Sequence, residues 1–215
     1  MEDVLSVYER PYDPRYPVVG VDEARKELRT TPKGSLPAEM GQEKREDYEY
    51  AREGWANLFV AVEPLTGKRK VQITDRRCAV DFAHFLRLVA EEMYPGAERI
   101  VLVMDNLNTH KAACLYEAFS PEEAFRLMQR FEWHYTPEHG SWLNVAEIEL
   151  SVMHRQCLNR RLSRAELEQE VPAWEMARNA LSGRIVWHFT AADARVKLQR
   201  LYPTLDDEKR KKSTG

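Results

Sequence analysis

Three acids in this chain stand where carboxylates can do chemistry. Asp22 follows the apolar run of "YPVVGVDE" (16–23), Asp105 follows "IVLVM" (100–104), and Glu147 comes three residues after Asn144 at the head of "NVAEIELSVMHRQCL". Each alone has a plain account. A strand-end Asp can cap the turn that follows it, and Asn144 with Glu147 is a near match to a capping box. Together they are different, provided the two strands are parallel neighbours, which would set Asp22 and Asp105 about 4.8 Å apart at the backbone. Converging carboxylates repel one another unless a cation compensates, and an all-oxygen donor set selects Mg²⁺ or Mn²⁺ over Zn²⁺. Two such ions, about 3.5 to 4 Å apart, can activate a water and stabilise the leaving oxygen of a phosphodiester. Glu149 lies on another face of the same helix. Its plain account is a surface salt bridge with Arg155 or Arg161.

The elements that must position these acids follow from pattern. Residues 16–23 form a buried strand with Asp22 at its exit, and 24–47, polar and broken by Pro and Gly, form a long loop. "WANLFVAV" (55–62) and "KRKVQITD" (68–75) make an antiparallel hairpin around "EPLTG". Phe82, Phe85, Leu86, Val89 and Met93 give the stripe of a helix over 80–93. Ser120, Pro121 and Glu123 open another helix. "EWHYTP" (132–137) is a third core strand, and Ala146, Leu150, Met153 and Cys157 stripe the helix that bears Glu147. Ser163 with Glu166 caps a helix to about Ser182, which Pro172 is expected to kink or interrupt. "IVWHFT" reads as a short strand before a helix capped by Thr190. The fold class is α/β, a mixed sheet with covered faces.

With 215 residues and 43% apolar content, the chain supports one domain. A formal charge of −3 argues against coating nucleic acid by bulk charge, so any DNA contact comes from local patches. Cys78, Cys114 and Cys157 are odd in number and widely spaced, which suits a reducing compartment. No apolar run reaches the ~20 residues of a membrane span, and the acidic start is unlike a signal peptide. A cytoplasmic location is expected.

The stretches "VVGVDE", "YEYAREGWANLFVAVEPLTGKR", "VDFAHFLR", "IVLVMDNLNTH", "EWHYTPEHGSWLNVAEIELSVMHRQCLNRR" and "FTAADARVKLQRLYP", in this order, resemble the catalytic part of the insertion sequence 630 family of bacterial transposases, in the mariner superfamily of DDE transposases. The resemblance implies a ribonuclease-H-like mixed sheet with helices on both faces. It also implies a 1–15 lead-in, a 16–203 catalytic domain and a charged 204–215 tail. By residue it implies Asp22, Asp105 and Glu147 as catalytic acids and ligands of two Mg²⁺ (or Mn²⁺) ions. The implied activity is endonuclease cleavage at transposon ends followed by strand transfer to target DNA. Implied partners are those DNAs, a second copy in a homodimer, and a helix-turn-helix region, since the 21 residues before Asp22 contain nothing like one. A second reading frame, a truncated copy and an isolated domain all stay open.

Candidate DNA contacts are Lys26 and Arg29 in the long loop, His110, Trp142, and Arg155, Arg160 and Arg161 after the Glu147 helix. Solvated helix faces and loop packing explain most of them equally well. His110, His134, His139 and Cys114 match no compact zinc spacing. Two readings compete with a transposase: an inactive remnant that binds DNA or an intact transposase, and another ribonuclease-H-like nuclease.

Overall fold

The alternation of side chains along β-strands decides which acids share a face. The computed structural model describes residues 1–30, 35–36, 45–46, 50–107 and 111–202. In chain order its elements are α1 (Glu2–Tyr8), β1 (Val18–Thr30), the short β2 (Ser35–Leu36) and β3 (Arg45–Glu46), β4 (Ala51–Val62), β5 (Arg69–Thr74), α2 (Ala79–Leu88) and β6 (Ile100–Met104). Then come α3 (Cys114–Ala118), α4 (Pro121–Met128), β7 (Phe131–Tyr135), α5 (Val145–Met153), α6 (Arg164–Ala180) and α7 (Ala191–Lys197). The main sheet has the order β5-β4-β1-β6-β7. β1 is antiparallel to β4, and β4 to β5, while β1–β6 and β6–β7 are parallel.

Val19 and Val21 of β1, with Phe59, Ala61, Ile100, Leu102 and Met104, pack under α2, α3 and α4 through Phe82, Phe85, Leu115 and Leu127. The residues between them point the other way. Leu58 and Val60 meet Met153, Leu167 and Val171 of α5 and α6. Val18, Val101 and Val103 meet Val4, Leu5 and Val7 of α1 and Ala194 of α7. Helices therefore cover both faces, as expected. Each fully buried aliphatic or aromatic side chain stabilises the fold by roughly 1.5 to 3 kcal/mol.

Several expectations need correction. β1 does not end near Asp22 but runs to Thr30 through part of the expected loop, because residues 51–58 of β4 supply a ladder for it. The register shifts between Leu28 and Arg29, opposite Gly54, whose φ of +104° suits a glycine at such an irregularity. β2 and β3 pair antiparallel within the remainder of the expected loop. Pro172 does not interrupt α6, whose buried Leu167, Val171 and Trp174 hold both halves to the sheet. "IVWHFT" forms no strand; the Ile185 N–H is donated to Pro64 O (2.9 Å), a single contact rather than a ladder. The lead-in contains α1, which is core, and α3 had no clear periodic signal. The tail beyond Tyr202 lies outside the described residues.

Candidate active site

Gly20 of β1 pairs with Val103 of β6. Continuing that parallel register by two residues sets Asp22 beside Asp105, and the same step of two keeps both on the face that α5 covers. Asp22 is thus inside a strand rather than at its exit, at the point where the parallel pairing runs out. It is buried, with 7% of its surface exposed. Its Oδ1 accepts the Glu23 N–H (2.8 Å) and its Oδ2 accepts Asn144 Nδ2 (3.3 Å). Asp105 is half-buried, and its Oδ1 accepts the Leu107 N–H (3.2 Å). Asn106 Nδ2 donates to Thr136 O, tying the chain after β6 to the chain after β7.

Asn144, fully buried, joins β1 to α5. As N-cap its Oδ1 accepts the Ala146 N–H (3.1 Å), while its Nδ2 donates to Val21 O (2.8 Å) as well as to Asp22. The expected capping box is not made: the Asn144 side chain takes the Ala146 N–H and not that of Glu147, and the Asn144 N–H is donated to Ser141 O (2.7 Å). Glu147 is exposed in the first turn of α5. The close seat of that turn depends on Gly20: a Cβ there would lie 2.4 Å from Val145 Cγ1 and 3.1 Å from Ala146 N. Sequence reasoning did not single out Gly20, although a glycine inside an apolar strand pattern is the signal of a close approach.

The acids affect one another. Burial pushes the Asp22 carboxyl up to about 7, and the charges of Glu23, Glu147 and Asp105 push the same way against the lowering effect of the Glu23 N–H. A buried carboxyl shifted in this way among other acids marks a functional candidate. The donors available are hard carboxylate oxygens, and a divalent cation would relieve both the burial and the repulsion that raise Asp22. In this respect the residues fit Mg²⁺ or Mn²⁺. Among the described residues, no group of three or more His, Cys, Asp or Glu side chains is close enough to hold one ion. The acids therefore share a field without forming a finished cage.

The remaining candidates separate. Glu149 is no surface residue: fully buried, it meets Arg69 Nε (2.9 Å) and Arg178 Nη2 (3.0 Å), not Arg155 or Arg161. Its position on α5 faces β5 and α6, which carry those arginines. Lys26 Nζ donates to Leu158 O and Arg160 O (both 2.6 Å), anchoring β1 to the end of the Glu147 helix. Arg29 pairs with Glu27 and covers the Tyr50 ring at 4.6 Å, and Arg161 approaches the same ring at 5.3 Å. Arg160 pairs with Glu170 (2.5 Å), and Arg155 donates to Ser151 Oγ (3.0 Å). Arg25, Lys26, Arg29, His154, Arg160 and Arg161 line one groove. Trp142 is nearly half exposed, with its ring edge-on to Phe189. His110 lies outside the described residues. His134 sits between Asp3 and Glu132, each at 2.8 Å, while His139 is exposed.

Three antiparallel strands continued by two parallel ones, helices on both faces and acids at the β1–β6 junction define a ribonuclease-H-like fold. A family model described as "DDE superfamily endonuclease" matches residues 17–168, and the chain belongs to that family. Among solved structures, the chain is similar to the Mos1 strand transfer complex at 16% identity and a TM-score of 0.50, over 82% of this chain and 51% of that one. The Mos1 transposase paired-end complex with left transposon end gives 15%, 0.49, 84% and 55%. The mariner Mos1 paired-end complex with Mg gives 14%, 0.47, 86% and 61%. The chain thus spans about half the length of the first of these. No curated protein matches. Among the described residues, no helix is long and apolar enough to cross a membrane.

Proposed function

We propose that Asp22, Asp105 and Glu147 are the catalytic acids of a mariner-type DDE transposase domain of the insertion sequence 630 branch, which cuts DNA at transposon ends and joins it to a target. The observation that carries this reading is the β1–β6 register, which sets buried Asp22 beside Asp105, with the Asp22 carboxyl raised by burial first and then by the charges of Glu23, Glu147 and Asp105. The three acids would hold two Mg²⁺ or Mn²⁺ ions, which when bound supply a water acidic enough to attack and charge to stabilise the leaving 3′-oxygen. Asp22 accepts Asn144 Nδ2 on one oxygen, so its orientation is fixed before substrate arrives. Glu147, exposed at the head of α5, is free of the capping box and faces incoming DNA. The groove of Arg25, Arg29, Arg160 and Arg161 takes the phosphate backbone. Trp142 and Arg155 border the same substrate, and Lys26 shapes the groove. In this reading the protein works in the cytoplasm as a homodimer, and a helix-turn-helix region recognises the transposon ends.

The test is strand cleavage of DNA with Mg²⁺ or Mn²⁺ by the parent and by Asp105→Asn, which removes ligand charge without changing shape. Cleavage by the parent alone, with both proteins equally folded, is expected. Equal nicking by the two overturns the assignment. DNA binding by a parent that never cuts would favour the inactive remnant instead.

A further inference from the structure

The first turn of α5 has a support besides Asn144 and Gly20. The hydroxyl of Tyr8, the last residue of α1, donates to Leu143 O (2.9 Å) and accepts the Val145 N–H (3.0 Å). Val145 opens α5, so its N–H is one of those an α-helix leaves without an internal partner. The Asn144 side chain is already committed to the next N–H, that of Ala146. One phenol oxygen therefore spans the residues on either side of Asn144.

Tyr8 is itself held. Its ring packs against Trp187 with centroids 4.9 Å apart, and the Trp187 indole N–H is donated to Phe189 O (2.8 Å). Further along α1, Asp3 meets His134 Nδ1 (2.8 Å) and Glu2 meets Arg195 Nη2 (2.6 Å). Burial pushes the Tyr8 phenol far above its ordinary range, so it stays a neutral group that can donate and accept at once.

We propose that Tyr8 is a positioning residue for the acidic site: by fixing Val145 it fixes the first turn of α5, and with it the place of Glu147 relative to Asp22. The inference rests on the reading of those acids as metal ligands. Groups that orient ligands from behind cost about 10- to 100-fold in metal affinity or activity when removed.

The test compares Tyr8→Phe, which keeps the ring and deletes the bridging oxygen, with Val7→Ala, which opens a void in the same helix without touching α5. Two readouts are followed against Mn²⁺ concentration: the rise in melting temperature and the rate of DNA cleavage. The expected result is a Mn²⁺ midpoint about 10-fold or more higher in Tyr8→Phe on both readouts. Val7→Ala should lose stability yet keep the parent's midpoint. If Tyr8→Phe also keeps the parent's midpoint, or if both variants shift alike, Tyr8 only packs and the proposal falls while the site assignment stands. A parent whose melting and cleavage both ignore Mn²⁺ removes the assignment and the proposal together.

Discussion

Glu147 and Glu149 stand two residues apart on α5, yet Glu149 is enclosed by Arg69 and Arg178 with no exposed surface, whereas Glu147 projects into solvent near Asp22. A buried carboxylate between two guanidiniums has its charge neutralised by the protein, which makes it a joint between α5, β5 and α6. An exposed carboxylate has no such fixed partner: water solvates it, and it stays available to a bound cation. A helix turn of two residues, about 200°, is enough to separate the two situations. The lesson is that a glutamate's function is set by who balances its charge, and not by its place in a motif.

This contrast can be broken by amide variants. Glu147→Gln should lose cleavage by more than the ~10–100-fold typical of changes behind a ligand, with folding stability within about 0.5 kcal/mol of the parent. Glu149→Gln should do the reverse in kind, costing about 3 to 5 kcal/mol because one or both arginines are left buried without a counter-charge. Urea unfolding of both variants beside a cleavage assay reads the two effects. If Glu149→Gln is as stable as the parent, Glu149 with Arg69 and Arg178 does not join α5 to β5 and α6.

A smaller effect concerns pH. The folded-state pKa of Asp22, about 7, lies above its ordinary value of 3.8. The native state therefore holds this proton more tightly than the unfolded chain, and the metal-free protein should lose stability as pH rises from about 4 to about 7, with no further loss from this group above that. Asp22→Asn does not titrate, so its stability advantage over the parent should grow across the same window and then level off. Melting temperatures without metal between pH 4 and 8 check this, and an advantage constant with pH would contradict it. Added Mn²⁺ should narrow the gap by stabilising only the parent.

The smallest expected effect lies on the groove. Arg161→Ala should weaken binding to all DNA sequences alike and make the salt dependence shallower by about one unit of slope. Sequence-dependent loss would instead place Arg161 against base edges.

Much of this was legible before the structure. Apolar runs and caps gave the sheet strands, the helix after Ser120 and the helix after Ser163, because burial and capping are local in sequence. The three acids were singled out because each follows or heads a patterned element, and the register now sets two of them, Asp22 and Asp105, side by side. Failures came where the partner strand decides: residues 24–30 are mostly polar, and only their pairing with β4 makes them a strand. Glu149 was misread because nothing near it in sequence reveals Arg69 and Arg178, which reach it from β5 and α6. Tyr8 left no signal, since a phenol's use depends on a helix end more than a hundred residues away.

The contact between Asn144 and Asp22 joins positions 122 residues apart. On a ribosome adding about 5 to 20 residues per second, the first acid emerges many seconds before the helix that completes its surroundings. Until α5 emerges and docks over Gly20, the growing chain has Asp22 without Asn144 or Glu147. On the proposed reading, the acidic site is therefore put together only once α5 has been made and has docked over Gly20.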